Sequence, residues 1–201
     1  MKRQEAVYRE IADGFIEGRI RFTQLGLSEN LKMSLSMVNK AVSALEAANA
    51  IRKDRRSFEV ISFSRLMLYW ATRRNLHKDI LYSTRVSADT RDIERGLPGG
   101  TAFTCYTAYK LIFKDAPADY SEVYAYATDE AAMEIKDRFP QQKGPQNLFI
   151  LKPDRYIQEA AAEGRLKHSS VSKSQLFVDL WGLKEWYAAE YIKALEKRLG
   201  I

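Results

Sequence analysis

Cysteine, histidine and long apolar runs are nearly missing from this chain, and each shortage narrows what it can be. A single cysteine among 201 residues cannot close an internal disulfide, so a reducing cytoplasm is the expected setting. The two histidines, His77 and His168, lie far apart, and neither joins a Cys or His pair at the spacing zinc needs. No metal and no cofactor is therefore expected. No apolar stretch approaches the roughly 18 residues of a membrane-spanning helix, and no cleavable leader is recognisable, so neither insertion nor export is indicated.

Catalytic patterns are equally sparse. The glycine-rich GLPGGT, residues 96–101, lacks the Lys-Ser or Lys-Thr ending of a phosphate loop and reads as a sharp turn leading into a helix. Asp89, Asp92 and Glu94 are interrupted by Arg91 and Arg95, the pattern of a salt-bridged helix surface. Cys105, followed by Tyr106, Tyr109 and Leu111, reads as a small core residue rather than a nucleophile. The carboxylate pair and glycine-serine helix start of a nucleotidyltransferase are absent. The chain is expected to be no enzyme.

What is present is positive charge and one organised segment. Lys and Arg number 32 against 26 Asp and Glu, a formal charge of +6 that suits a polyanionic partner. That charge is only modestly denser over residues 1–60 than beyond, so local placement carries the argument. From Thr23 to Ile51 the sequence reads TQLGLSENLKMSLSMVNKAVSALEAANAI, two short apolar-periodic segments meeting at a tight junction. Thr23 is the expected N-cap of the first, with Leu25, Leu27, Leu31 and Met33 inward. Ser34 is the expected N-cap of the second, which runs to about Ala48 with Leu35, Val38, Val42 and Leu45 as its buried stripe. Asn49 can end it in a left-handed conformation. Ahead of the pair, Glu5 to Ile16 predicts a support helix that Gly18 ends.

The opposite side of the second helix carries Ser36, Met37, Asn39, Lys40 and Ser43. Short polar groups permit close approach to base edges, Asn39 both donates and accepts, and Lys40 can meet a phosphate or a guanine. After the helix, residues 51–53 and 59–61 predict the two arms of a hairpin. Its Arg52, Lys53, Arg55 and Arg56 face only Asp54 within the turn, a tip suited to backbone phosphate or a minor groove. Helix pair plus basic hairpin is the layout of a winged helix-turn-helix. Ser34, Ser36, Met37, Asn39, Lys40, Ser43, Arg52, Lys53, Arg55 and Arg56 are the candidate DNA-binding residues.

Beyond residue 61 the pattern is mixed. An aromatic-rich helix over 63–74, strands at 80–82, 123–127 and 148–151, and helices at 88–94, 104–113, 130–139, 173–180 and 183–199 are predicted. The last offers a broad face of Leu183, Trp186, Tyr187, Tyr191, Ile192 and Leu195, suited to closing a core or to a homodimer interface. The expected fold class is mixed α/β (α+β), with a winged helix-turn-helix domain over 1–61 and a mixed α/β domain over 62–201. Strand order is open.

Read together, the halves point to one family. TQLGLSENLKMSLSMVNKAVSALEAANAIRK is similar to the winged helix-turn-helix of many bacterial and archaeal regulators. GGTAFTCYTAYKLIF, EVYAYAT and VSKSQLFVDLW resemble the second domain of AbiEi-type antitoxins, partners of nucleotidyltransferase toxins in type IV toxin–antitoxin systems. The resemblance implies an N-terminal module that binds promoter DNA and represses its own operon, and a C-terminal domain supporting antitoxin action. Lys32 departs from the small or glycine residue frequent in the helix-helix turn. The expected function is a sequence-specific double-stranded DNA-binding regulator, an antitoxin-like autorepressor. A protein-interaction module without DNA binding and a ligand-responsive regulator are the alternatives.

Overall fold

A computed structural model describes residues 3–163 and 169–201, and His168 lies outside the described residues. The chain divides into two compact units. One is built on the residues up to Arg74 together with Leu195–Ile201, the other on Asn75–Ala194. The whole is mixed α/β of the α+β kind, with two small sheets.

The first unit runs α1 (Arg3–Ile16), β1 (Arg21–Phe22), α2 (Gln24–Asn30), α3 (Leu35–Ala47), β2 (Ile51–Lys53), β3 (Phe58–Val60) and α4 (Phe63–Ala71). In α1 the buried Val7, Tyr8, Ile11 and Ala12 repeat at helical spacing, so one stripe faces the core. Thr23 caps α2, its side chain accepting from the Gly26 amide at 3.0 Å. Ser34 caps α3, accepting from the Met37 amide at 3.3 Å. Between them Lys32 turns left-handed (φ 47°), and the Ser28 hydroxyl bridges the turn by donating to the Met33 carbonyl at 2.6 Å. Asn49, with φ 54°, ends the helical run as its position predicts.

Two leucines depart from the expected inward stripe. Leu25 is 60% exposed and Leu35 is 50% exposed. Leu25 falls in the first turn of a seven-residue helix whose one buried residue is Leu27. Leu35 opens α3 one turn ahead of Val38, Ala41, Val42 and Leu45, the residues its core takes up.

The sheet is antiparallel in the order β1-β3-β2. Arg21 and Phe22 pair with Glu59 and Phe58, while Ile51, Arg52 and Lys53 pair with Val60, Glu59 and Phe58. Two residues are too few to show a period, so β1 left no pattern in the sequence. Its Phe22 stacks on Phe58 at 5.8 Å between ring centroids. Against α1 packs α4: Phe63 stacks on Phe15 at 4.7 Å, and the buried Trp70 indole donates to Glu5 Oε2 at 3.2 Å. Arg74 Nε lies 3.7 Å from the same carboxylate oxygen, so this buried anion has both a hydrogen bond and a counter-charge.

The second unit holds β4 (Ile80–Thr84), α5 (Thr90–Gly96), β5 (Thr101–Thr104), α6 (Cys105–Phe113), β6 (Val123–Ala127), α7 (Asp129–Arg138), β7 (Leu148–Leu151), α8 (Arg155–Ala162), α9 (Lys173–Trp181) and the start of α10 (Trp186–Leu199). Strand order is β4-β7-β6-β5, with the central β6–β7 pair parallel and the outer pairs antiparallel. A parallel pair needs a long crossover, and α7 supplies it. All five residues of β6 are buried, as befits an interior strand. Tyr124 stacks on Phe149 across the pair at 4.5 Å.

Several expected features shift. GLPGGT leads into strand β5, and α6 begins only at Cys105. The four-residue TAFT adjoins the helix with no glycine or proline between them, so the sequence pattern shows no separate strand and the helix expected over 104–113 takes in its last residue, Thr104. Helix α8 also escaped prediction. On the broad face expected to close a core or to form a homodimer interface, Tyr191 is fully buried, whereas Trp186 is 75% exposed.

Candidate functional site

Helix α3 sorts its residues by side. Val38, Ala41, Val42 and Leu45 are buried, while Ser36, Asn39 and Lys40 are exposed and Met37 and Ser43 are half-buried. The outward groups therefore form one polar face over the first two turns, carrying an amide, an ammonium and a hydroxyl free to turn. Ser34 stands apart from that set, because its side-chain oxygen accepts a hydrogen bond at the helix start.

Beside this face lies the β2–β3 hairpin. Its turn is closed by the Asp54 amide donating to the Ser57 carbonyl at 2.8 Å, which puts Arg55 and Arg56 at the two central positions. Both are exposed, and neither forms an ion pair among the described residues. The two cations on the arm differ. Arg52 pairs with Glu59, and Lys53 pairs with Glu46 Oε2 at 2.8 Å while donating to Ser43 Oγ at 2.9 Å. Arg21 of β1 adds a third neighbour to this network, 3.4 Å from Glu59 and 3.6 Å from Asp54.

Sequence proximity had set only Asp54 against the four basic residues. Glu46 and Glu59 come from α3 and the return strand, and only folding brings them in. Ion pairs whose cation lies largely in solvent, as Arg52 does, are worth on the order of 0–1 kcal/mol, so Arg52 keeps the ability to exchange partners, while Lys53 is half-buried. The Lys53–Glu46 contact also ties the hairpin to the second half of α3.

One further feature left no signal in the sequence. A cavity of about 280 Å³ opens between β1, α2 and the hairpin turn, lined by Arg19, Arg21, Phe22, Thr23, Asn30 and Ser57 among others. The Arg19 guanidinium lies 5.0 Å from the Phe22 ring centre and 3.7 Å from Glu10. These arginines precede the helix pair in sequence, and the β1–β3 pairing brings Arg21 to the hairpin.

The second unit is organised around buried polar groups. The Asp179 carboxylate accepts from the Thr104 hydroxyl at 2.7 Å, the Tyr126 hydroxyl at 2.8 Å and the Gln175 amide at 3.0 Å. These bonds join α9 to β5 and β6. Glu94 accepts from Thr107, Lys110 and Tyr120 at 2.6–2.9 Å, so it reaches inward toward α6. Asp89 caps α5, and Asp92 lies 3.6 Å from Arg95, the surface pairing expected there.

Tyr106 is ringed by Tyr120, Tyr124, Tyr187 and Tyr191, at centroid distances of 5.0–6.3 Å. Burial pushes the phenols of Tyr106, Tyr120, Tyr124 and Tyr191 well above the usual tyrosine range, and neighbouring carboxylates or phenols add to the effect. Cys105 is buried at the β5–α6 junction with φ 53°, while His77 is exposed. Among the described residues, no group of three His, Cys, Asp or Glu is placed to hold a metal ion. No described helix is long and apolar enough to cross a membrane. The chain matches no protein-family model, no curated protein and no solved structure.

Proposed function

We propose that the first unit is a winged helix-turn-helix and that the protein is a sequence-specific regulator binding double-stranded DNA. The observation that carries this reading is the pairing of two features. A capped α3 exposes Ser36, Asn39 and Lys40 on one face, and a hairpin joined to it through Lys53 presents Arg55 and Arg56 with no ion pair among the described residues. The order α1-β1-α2-α3-β2-β3 with sheet order β1-β3-β2 supports it. In this reading α3 enters the major groove, where Asn39 meets an adenine and Lys40 a guanine or phosphate, and the hairpin lies on the adjoining backbone.

The resemblance to AbiEi-type antitoxins extends the proposal to an autorepressor whose second unit meets a nucleotidyltransferase-type toxin. A reading frame for such an enzyme beside this gene is the matching observation. No catalytic role is assigned to the chain. A homodimer would set two copies of α3 on half-sites about one helical turn apart.

Fluorescence anisotropy on labelled duplexes across a salt series tests the assignment. Arg55→Ala with Arg56→Ala should weaken binding to every duplex and lower the salt slope by roughly 1.8, two phosphate contacts' worth. Asn39→Ala should leave that slope intact and lose about 1–3 kcal/mol of discrimination at one base pair. Identical curves for parent and variants would sink it. Leu25, exposed on α2, favours a second reading in which the unit docks on a polypeptide. Absence of duplex binding at both about 50 and 200 mM salt would select that reading.

A further inference from the structure

The exposed face of α3 contains one residue that its polar neighbours do not explain. Leu35 is the first residue of the helix and remains 50% exposed, although Val38 and Val42 behind it are fully buried. An isobutyl group left in water among Ser36, Asn39 and Lys40 contributes little to the core. Its place is the N-terminal turn, the part of a groove-bound helix that meets base edges. In the major groove the one apolar feature a base pair offers is the C5 methyl of thymine.

We infer that Leu35 is a specificity-determining residue that packs on a thymine methyl in the bound duplex. The inference rests on the DNA-binding reading above and adds to it the identity of a base. Charge complementarity commits the face to nucleic acid rather than to a second apolar surface. Lys40 is on the same face, Arg55 and Arg56 are exposed in the turn of the hairpin that Lys53 ties to α3, and no ion pair involves these three cations among the described residues. Leu35 and Asn39 are one turn apart, about 6 Å along the helix axis. That spans about two base steps at 3.4 Å each. The thymine should therefore lie within about two base pairs of the adenine that Asn39 reads.

The test uses the full chain and a chemical change of one methyl group. Duplexes are selected from a randomised pool, and the preferred sequence is resynthesised with each thymine in turn replaced by uracil. Loss of one buried methyl contact should weaken binding about fourfold at a single position. Leu35→Ala should bind more weakly and show no further loss at that position, and thermal melting should find it folded, because the side chain is half in water. Uracil tolerated at every position by the parent protein would overturn the inference while leaving DNA binding intact. So would an equal uracil effect in Leu35→Ala. Failure of the parent to select any duplex would instead overturn the DNA-binding reading, and this inference with it.

Discussion

Lys32 and Ser34 show how single residues shape the junction between α2 and α3. Lys32 adopts φ 47°, a conformation that costs a side-chain-bearing residue about 1–2 kcal/mol and a glycine almost nothing. Lys32→Gly should stabilise the protein by up to about 1 kcal/mol, after the larger unfolded-state entropy of glycine is offset. Urea unfolding measures it, and an unchanged or lower midpoint would mean the lysine side chain compensates. Ser34 and Ser36 are two residues apart and exposed alike, yet only Ser34 caps the helix. Ser34→Ala should cost about 1 kcal/mol, while Ser36→Ala should stay within about 0.5 kcal/mol. Equal losses from the two would show that the cap contributes nothing.

At the scale of elements, the packing of α4 on α1 decides the stability of the first unit. Trp70 is fully buried and donates to Glu5, whose carboxylate also faces Arg74. Trp70→Ala removes the largest buried side chain of that helix and should cost about 3–5 kcal/mol. Total stabilities are typically about 5–15 kcal/mol, so near-ultraviolet and far-ultraviolet signals should show much of the unit unfolding at modest urea. A loss under about 1 kcal/mol would mean that α4 contributes little. The residue pattern over 63–74 identified this helix and its apolar face, but not what it covers. Helix periodicity shows that a face is buried, and only the partner face on α1 says where.

For the molecule as a whole, pH reports on the tyrosine cluster. The buried phenols of the second unit hold their protons more tightly than a tyrosine in an unfolded chain, which ionises near about pH 10. A group whose folded pKa is raised stabilises the fold fully below the unfolded pKa, and that contribution is lost as pH rises beyond it. Stability should therefore hold up to about pH 10 and fall above it, because the unfolded state gives up protons the folded state keeps. Tyrosinate absorbance at 295 nm should rise together with loss of far-ultraviolet circular dichroism. All 11 tyrosines titrating near pH 10 with the helical signal intact would contradict the burial of Tyr106 and its neighbours.

The sequence alone determined what depends on neighbours along the chain. The caps Thr23 and Ser34, the left-handed Asn49, the stripe Val38, Val42 and Leu45, and strands 123–127 and 148–151 follow from hydrogen-bond donors, conformational preference and side-chain period. Each is a local property, legible within about one turn or one strand. Tertiary structure alone decided which groups meet. It paired β1 with β3, brought Glu46 and Glu59 to Lys53 and Arg52, and left Arg55 and Arg56 with no ion pair among the described residues. It also set Asp179 among Thr104, Tyr126 and Gln175, and turned Leu35 outward. Exposure and charge pairing depend on residues distant in sequence, and local pattern carries no information about them until the chain has closed.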